Sequence, residues 1–352
     1  MNISFGILAY NEADSICDLL RSLLIQDIIA DENSSSKYDS LEIIVIPNGC
    51  TDNTAQLAEE TLKKLAQEQP FSKIKWRVCE IKEPGKSNAW NHYVHDFSCA
   101  EADYLCFLDA DIELLEKNTF SKLLEYLNSH SEARVVTDTL VRDIEIKQNR
   151  NLWEQVLLSI SGSNENDNHF ICGQLYCARA SALRSVWMPI GLPAEDAFLR
   201  GMIVRDDFSP KRSIHRIQKV PNVRHKFEAY KSPLKLLRHE KRLIIGYTIN
   251  AAIFSYLSAQ YKTLTQANDY IKTMNSKEPQ WLERVFKESI KNKGFWVTPK
   301  GILTRRLSNV RSTKGFKRLI KAFAIPVSFG FDFLASLLAN LEIRKSGGVG
   351  YW

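Results

Sequence analysis

Apolar runs alternate with amphipathic stretches along roughly the first 130 residues of the chain. The strand-like apolar runs are residues 3–9, 42–46, 76–81 and 104–108. The helix-like stretches between them are residues 12–24, 52–66 and 87–97. Strands separated by helices of this length predict βαβ units and a mostly parallel sheet. Ligands of such sheets bind at the carboxyl ends of the strands, so polar residues there are the first candidates for a site.

The pattern changes twice further along the chain. Residues 135–223 mix short strand-like and helix-like stretches, and from residue 232 onward the pattern is helical. We therefore expect an α/β unit over residues 1–230 and a helical region over residues 231–352. A chain of 352 residues has room for one large domain of this kind plus an appendage.

Residues 305–341 combine a basic stretch with an apolar one. The basic stretch, residues 305–321, has seven Lys/Arg and no acid, and the twenty residues after it carry a single charge. Twenty apolar residues suffice to span a bilayer, but Pro326, Gly330 and Asp332 make a poor span. A helix that lies in the membrane interface behind a basic patch fits better, with a buried core or dimer helix as the alternative. We therefore expect this segment to associate with a membrane surface.

Composition is that of a globular protein with an uneven charge distribution. Hydrophobic residues make up 44% of the chain and charged residues 25%, which suits a sizeable core. The net charge is +6, and residues 205–242 contain twelve Lys/Arg against four Asp/Glu. This asymmetry indicates an anionic partner, which means phosphates, nucleic acid or an anionic membrane face.

The cysteines and the N-terminal residues bear on the compartment. The seven cysteines are scattered and form no C-x-x-C pair, which argues against a disulfide framework or a zinc site. The N-terminal residues lead directly into a strand-like run, without the basic n-region of a signal peptide. We therefore expect the α/β unit to be cytoplasmic.

Two aspartates, Asp109 and Asp111, follow the apolar run 104–108. Alternate residues of an extended backbone face the same side, so both carboxylates face into one site. Like charges this close repel each other, and a divalent cation relieves the repulsion because Mg²⁺ and Mn²⁺ favour carboxylate oxygens. The pair therefore predicts a Mn²⁺ or Mg²⁺ site. The alternative is a helix start, where aspartate caps free backbone amides.

Further polar clusters follow the other predicted strands or precede the next helix. They are Asn11-Glu12, Pro47-Asn48 with Asp52, Gly85-Lys86, Glu195-Asp196, and the late stretch from His239 to Arg242. In this order and spacing, together with Asp109 and Asp111, they resemble the motifs of the family 2 glycosyltransferases. The resemblance spans residues 3–246, and a series of this many motifs in order is specific.

The resemblance implies an α/β, Rossmann-like fold of the glycosyltransferase A type. This fold is a mostly parallel mixed sheet flanked by helices, here followed by a helical C-terminal region. The catalytic domain would comprise residues 1–230, with a nucleotide-binding half at about 1–112 and an acceptor half at about 113–230. The reaction that the resemblance implies is an inverting, metal-dependent sugar transfer from a nucleotide-sugar donor, a UDP- or GDP-sugar.

On the donor side, the resemblance implies a metal that neutralises the departing diphosphate. Asp111 would hold the Mn²⁺ or Mg²⁺, and Asp109 would reach the metal or the ribose. A late histidine completes the metal shell in some enzymes of this fold, and His225 stands in a comparable place. A single histidine is more often structural, and that alternative stays open.

The other donor-binding residues that the resemblance implies are Asn11, Glu12, Asn48, Asp52, Lys86 and Arg242. Asn11 and Glu12 would also suit a cap of the first helix, and Lys86 would also suit a solvated loop. The family's usual acid pair is replaced by Pro47-Asn48, so the resemblance does not establish the base contact or a preference for uridine.

Glu195 and Asp196 are the catalytic candidates. Direct displacement at the anomeric carbon needs a base that removes the proton of the acceptor hydroxyl. By resemblance Asp196 is that base and Glu195 positions the acceptor, and a single displacement inverts the anomeric configuration. The alternative is another helix N-terminus, which would begin before Ala197.

Two other functions compete with sugar transfer. A sugar nucleotidyltransferase would have a glycine-rich basic loop after the first strand, where this chain has Ala9 to Ala13. A membrane- or nucleic-acid-binding module would leave the four acids of the two pairs unexplained.

Leu243 replaces the tryptophan of the family's late motif, which disfavours a processive synthase. We therefore expect a glycan or lipid-linked acceptor in cell-envelope polysaccharide biosynthesis at the inner membrane face, and no nucleic acid.

Overall fold

The structure is a computed structural model. It describes residues 1–30, 38–68, 74–151, 154–155, 158, 168–230, 232–304 and 316–350. Residues 305–315, which form most of the predicted basic stretch, lie outside these ranges.

Within the described ranges, eight strands form one mixed sheet. They are β1 (Asn2–Ala9), β2 (Ser40–Pro47), β3 (Ile74–Val78), β4 (Tyr104–Asp109), β5 (Glu113–Leu114), β6 (Val135–Arg142), β7 (Leu175–Arg179) and β8 (Ile217–Phe227). Their order across the sheet is β3-β2-β1-β4-β7-β6-β8-β5. The third strand begins and ends earlier than the predicted run 76–81.

The four strands that the alternating pattern predicts are parallel neighbours, as expected. Strand β1 pairs with β2 and β4, and β2 pairs with β3. Ala9 lies beside Pro47, and Leu8 lies beside Asp109. The carboxyl ends of β1, β2 and β4 therefore meet at one edge of the sheet and bring the polar residues that follow them together.

Strand β7 separates β4 from β6 and runs antiparallel to both. Leu175 lies beside Leu108, and the Gln174 carbonyl accepts a hydrogen bond of 2.8 Å from the Asp109 amide. Strand β6 then pairs in parallel with β8, which pairs antiparallel with β5. The insertion of β7 places Gly173 and Gln174 beside the strand of the acid pair.

Helices pack on both faces of the sheet. Before residue 230 they are α1 (Ile16–Leu24), α2 (Asp27–Ala30), α3 (Thr54–Glu68), α4 (Lys86–His92), α5 (Thr119–Ser129), α6 (Asp143–Ile146), α7 (Ala180–Arg184) and α8 (Glu195–Ile203), with a 3-10 turn at Ile214–Arg216. Phe5 of β1 meets Phe120 of α5 edge to face, with ring centroids 4.9 Å apart. Phe107 of β4 stacks on Trp90 of α4, at 5.8 Å. The sheet is thus buried on both sides, which explains why its strands are continuous apolar runs.

The helix predicted at 87–97 is divided. Helix α4 ends at His92 and a π-helical turn, Tyr93–Phe97, continues it. Tyr93 lies so close to β1 that a β-carbon on Gly6 would be 2.5 Å from its ring. Its hydroxyl donates to the Ser4 carbonyl at 2.8 Å. The glycine at position 6 is therefore required by this close approach.

The helical C-terminal region is confirmed. Its helices are α9 (Pro233–Gln260), α10 (Leu264–Lys277), α11 (Trp281–Lys291) and α12 (Phe316–Ser346), with a 3-10 turn at Lys300–Thr304. Helices α9 and α12 pack along each other, and the Lys241 ammonium of α9 lies 3.6 Å from the Glu342 carboxylate of α12. No helix in the described ranges is long and apolar enough to cross a membrane.

Candidate active site

A cavity of about 510 Å³ lies at the carboxyl edge of the sheet. Its walls are the ends of β1, β2 and β4, residues 172–174 before β7, the start of α8 and one face of α9. The predicted site residues that line it are Glu12, Asn48, Lys86, Asp109, Asp111, Glu195, Asp196 and Arg242. The predicted residues outside its lining are Asn11, Asp52 and His225. The structure therefore brings most of the predicted donor and catalytic residues to one cavity.

Lys86 connects the two acidic pairs. Its ammonium lies 2.7 Å from both carboxylate oxygens of Asp109 and 3.2 Å from Glu195 Oε1. It also donates to the Gly173 carbonyl at 3.1 Å. Although burial opposes the charge, Asp109 and Glu195 raise the pKa of Lys86 well above its ordinary value. Lys86 is a buried, permanent cation here, and the solvated-loop alternative is wrong.

Asp109 and Asp111 both line the cavity, as the alternation of an extended chain predicts. Asp109 is mostly buried, whereas Asp111 is exposed. Burial raises the pKa of Asp109 to about 6, although the Lys86 charge opposes this shift. Asp111 therefore offers the more accessible carboxylate of the pair.

This pair of carboxylates fits a divalent metal of the Mg²⁺ or Mn²⁺ type. Such ions are bound in nucleotide sites by one or two carboxylates, and substrate phosphates and water supply the remaining oxygens. Among the described residues, no cluster of three or more His, Cys, Asp or Glu forms a metal site. Asp111 and Asp109 are the residues that would hold such an ion, and they stay predicted ligands.

Glu195 and Asp196 begin helix α8 and also face the cavity. Asp196 Oδ1 accepts a hydrogen bond of 2.7 Å from the Ala197 amide, as a carboxylate at a helix start does. Burial, reinforced by the negative charge of Glu195, raises the pKa of Asp196 to about 7. The predicted helix start is thus present, and both acids also line the cavity. Their catalytic role stays a prediction.

Gly173 allows the acidic pair and Lys86 to approach the backbone before β7. A β-carbon there would lie 3.2 Å from Glu195 Oε1 and 3.4 Å from the Asp196 β-carbon. A β-carbon at this position would be in tight contact with Glu195 and in ordinary contact with Asp196. The glycine therefore leaves Glu195 room to lie beside Lys86.

Asn48 is a buried connector at the floor of the cavity. Its Nδ2 donates to the Ala9 carbonyl at 2.9 Å, and its Oδ1 accepts from the Gly85 amide at 3.2 Å. The side chain joins the end of β1 to the loop that carries Lys86. An aspartate could not make the first of these bonds because an ionised carboxylate is an acceptor only.

Asn11 and Asp52 are structural in their observed contacts. Asn11 adopts a positive φ of 56°, and its Oδ1 accepts from the Thr51 amide at 2.8 Å. Asp52 accepts from the amides of Thr54 and Ala13, at 3.0 and 3.1 Å, and so holds the start of α3 beside the loop after β1. Their predicted donor contacts remain untested, and both lie outside the cavity lining.

Glu12 combines the two roles considered for it. It lines the cavity, while its carboxylate accepts from the Ser15 hydroxyl at 2.6 Å and its carbonyl accepts from the Ile16 amide at 2.9 Å. Burial raises its pKa, and the Asp111 and Asp109 charges act in the same direction. Glu12 therefore belongs to both the start of α1 and the acidic wall of the cavity.

Arg242 and His239 lie one turn apart on α9 and both line the cavity. Arg242 Nε and His239 Nδ1 are buried and have no hydrogen-bond partner among the described residues. The His239 ring packs on Tyr230, with centroids 4.6 Å apart. Burial and the Arg242 charge lower the pKa of His239 to about 4, so its ring is neutral. Buried polar atoms without partners at a cavity wall indicate a polar ligand.

His225 lies outside the cavity lining. It is fully buried on β8, where Nδ1 lies 2.8 Å from Asp138 Oδ2 and Nε2 lies 3.3 Å from Gln174 Oε1. Although burial alone would lower its pKa, the Asp138 carboxylate raises the pKa of His225 to about 10. In its observed contacts His225 is paired with Asp138 and Gln174. Its predicted part in the metal shell stays a prediction.

Several residues that line the cavity are not among the site residues predicted from the sequence. They are Thr137, Asp138 and Thr139 of β6, Gln174 before β7, and Tyr230 after β8. The first four reach the cavity because β7 and β6 extend the sheet beside β4. Tyr230 follows the end of β8, where a search of strand ends for polar aromatic residues would have found it.

The loop before α8 is held by the C-terminal segment. Gly191, which lines the cavity, accepts a hydrogen bond of 2.9 Å from the Gly350 amide. Gly347, Gly348 and Gly350 all have positive φ, between 73° and 79°, which glycine tolerates without strain. This segment therefore turns back from α12 to contact the loop that leads to Glu195.

Comparison with known proteins places this architecture in a family. Residues 4–186, just over half of the chain, match the model of the family described as glycosyl transferase family 2. The chain belongs to this family. The matched residues include the two acid-bearing strand ends of β1 and β4 and the Lys86 loop, which supports the resemblance seen in the sequence.

Relatives and a solved structure agree with this assignment. The chain is 34% identical over 110 residues to a poly-beta-1,6-N-acetyl-D-glucosamine synthase of Staphylococcus aureus, which is 31% of this chain and 21% of that protein. It is 28% identical over 141 residues, 40% of this chain and 29% of the relative, to the synthase of Staphylococcus epidermidis. Both alignments therefore cover less than a third of the relative.

The family 2 chain also shares its fold with a mannosyltransferase of Pyrobaculum calidifontis, solved in complex with GDP-Man and Mn²⁺. The TM-score is 0.54 at 15% sequence identity, over 98% of this chain and 87% of that one. At this identity the similarity concerns the fold alone. It supports a glycosyltransferase A-type sheet that is followed by a helical region.

Proposed function

We propose that this protein transfers a sugar from a nucleotide-sugar donor, a UDP- or GDP-sugar, to a glycan or lipid-linked acceptor with inversion. The observation that carries the proposal is the Lys86 bridge. It joins Asp109, at the end of β4, to Glu195, at the start of α8, across one cavity. Groups suited to stabilise a departing diphosphate therefore lie beside groups suited to activate an acceptor.

The donor diphosphate is proposed to lie between the acid pair and α9. Mn²⁺ or Mg²⁺ held by Asp111 and Asp109 would neutralise charge that develops on the diphosphate. Arg242 would bind a phosphate oxygen through its unpartnered Nε, since an arginine in a buried site makes strong charge-assisted bonds. Lys86 keeps a fixed positive charge close to the same place.

The acceptor hydroxyl is proposed to lie against Asp196. A general base works best when its pKa is near the operating pH, and the pKa of Asp196 is raised to about 7. Glu195, held by Lys86 at 3.2 Å, would orient the acceptor. Removal of the hydroxyl proton by Asp196 on the side opposite the diphosphate would give a product of inverted anomeric configuration.

Synthesis of a cell-surface polysaccharide is the process that we propose for this transfer. The names of the staphylococcal relatives support a glycan product, although the alignments span only a fraction of those proteins. We propose that the enzyme works on the cytoplasmic side of the cell membrane, with peripheral contact through the C-terminal region. Such a place would suit an acceptor anchored in lipid.

The test is a panel of UDP- and GDP-sugars assayed for donor hydrolysis and transfer with Mn²⁺. Asp111→Ala should abolish metal-dependent donor binding, and Asp196→Asn should retain binding but lose transfer. Asp18→Asn, at an exposed aspartate on α1, is the control and should behave as the parent. Formation of a sugar nucleotide from a sugar phosphate, or salt-sensitive binding to nucleic acid without metal, would contradict the proposal.

A further inference from the structure

Helix α12 is apolar on the side that faces away from the protein. We define its outer apolar face as the exposed side chains Phe329, Phe333, Leu334 and Leu341, which are 44–48% exposed. Leu337 and Leu338 lie between them and are partly exposed. Contiguous exposed apolar surface of this kind marks an interaction site on a protein.

The rotation of α12 about its own axis is fixed, so the outer apolar face cannot turn toward the protein. The buried side of α12 carries Ala335, Ala339 and Ile343. Between them, Asn340 accepts from the Val297 amide at 2.7 Å and donates to the Thr298 hydroxyl at 2.8 Å. These bonds to a buried amide would be lost if the helix rotated. The exposed leucines and phenylalanines are therefore a consequence of a fixed orientation.

Positive charge borders one end of this face. Arg344 and Lys345 follow it in the last turn of α12, and Lys291 lies at the adjoining end of α11. Apolar side chains bordered by cations match a membrane whose headgroups are anionic and whose interior is apolar.

The rim of cations also disfavours a second copy of the chain as the occupant. Two copies that met through the outer apolar face would bring like charges together, and repulsion between them would oppose association.

We infer that the outer apolar face of α12 docks in the plane of an anionic lipid bilayer surface. This face would make the peripheral membrane contact proposed above. Its docking does not depend on the sugar-transfer chemistry. The helix lies in the interface rather than across it. Because α12 packs against α9, which carries Arg242, the docked protein holds its cavity close to the lipid surface.

The experiment measures partition of the full chain onto vesicles by sedimentation. Phosphatidylcholine vesicles with and without phosphatidylglycerol serve as the probe, and the parent should bind the anionic vesicles. The variant Phe329→Gln/Leu334→Gln/Leu341→Gln should bind on the order of tenfold or more weakly, because it removes three apolar contacts. Ile25→Gln, which removes an isoleucine that is 50% exposed outside α12, should bind as the parent does.

Two further measurements distinguish membrane docking from dimer formation and from failure of the proposed reaction. Lys291→Glu/Lys345→Glu should weaken binding to anionic vesicles and make it less sensitive to salt. Partition of the triple variant equal to that of the parent would overturn the inference. The inference would also be overturned if the parent did not bind vesicles but formed a dimer that the triple variant does not form. Donor hydrolysis is measured on the same samples: its absence in the parent would count against the proposed reaction and leave the docking result standing.

Discussion

The Lys86 ammonium lies 2.7 Å from both carboxylate oxygens of Asp109, and this contact sets the charge of the cavity floor. A lysine in this position shares Asp109 with any metal that binds there. It also holds Glu195 at 3.2 Å on its other side. The cation therefore lies between the proposed donor side and the proposed acceptor side of the cavity.

Replacement of Lys86 by methionine should lower kcat/KM for the donor by about 100-fold, since loss of one preorganised group that stabilises developing charge costs this much or more. Lys82, four residues earlier, is exposed, and Lys82→Met is the matched control. Steady-state kinetics with a saturating acceptor measure the effect. Equal kcat/KM values for the two variants would show that Lys86 has only a structural role.

The rate should fall as the pH drops below about 7. The pKa of Asp196 is raised to about 7, so below that value the carboxylate is protonated and cannot accept the hydroxyl proton. The kcat/KM profile should therefore have an acid limb near this pH. A limb that lies near pH 4 instead would exclude Asp196 as the group that titrates.

The raised pKa of Asp196 also predicts that the stability of the fold depends on pH. Stability should fall as the pH rises, whereas activity should increase. Because the folded-state pKa of Asp196 is above the ordinary value of 3.8, folding is favoured at low pH, and this contribution is lost as the pH rises through about 7. Asp196→Asn removes the buried charge. Its melting temperature should exceed that of the parent at alkaline pH and approach it under acid conditions.

Asn48→Ala should destabilise the protein by about 1–3 kcal/mol, because the buried Gly85 amide loses its acceptor and the Ala9 carbonyl loses one of its donors. Asn48→Asp should cost more, since it sets a carboxylate against that carbonyl. Urea unfolding measures both, with Asn53→Ala at an exposed position as the control. Donor affinity should also fall, because Asn48 fixes the Lys86 loop through the Gly85 amide.

Loss of the His225 imidazole should lower the free energy of unfolding by about 3–5 kcal/mol, because it leaves Asp138 as an unpaired buried charge. The neighbouring pair Arg224–Glu116 is a control in which the arginine is exposed, and Arg224→Leu should cost at most about 1 kcal/mol. The folded pKa of His225 is about 10 against an ordinary 6.5. Its stabilising contribution is thus complete below pH 6.5 and is lost as the pH rises through 10.

His225→Gln also decides the metal hypothesis. A glutamine keeps polar contact with its neighbours but cannot replace an imidazole ligand well. Manganese affinity measured by titration calorimetry should match that of the parent if the metal is held by Asp111 and Asp109. A loss of affinity in this variant would restore His225 to the metal shell.

Much of the donor side follows from local sequence. Asp109 and Asp111 lie two apart after a buried strand, and parallel pairing of β4 with β1 is enough to bring Glu12 to the same edge. The strand order beyond β4 is a long-range property. The insertion of β7, and with it the contact of Gly173 with Lys86, depends on pairing between residues far apart in the chain.

Residue type alone also does not show which neighbours a side chain meets in the fold, and His225 is the example. Its type suits a metal, but β6 places Asp138 beside it in the interior. Asn48 is the converse case, in which a departure from the family pattern is explained by a hydrogen bond to the Ala9 carbonyl that a carboxylate cannot donate.

The bond from the Gly350 amide to the Gly191 carbonyl has a practical consequence for handling the protein. Glycine-rich segments are common places for substitutions, because most of their residues have no side chain to lose. Here the backbone of residues 347–350 supports the loop that leads to Glu195 and Asp196. Substitutions in this segment are therefore expected to alter turnover, although it lies outside the cavity lining.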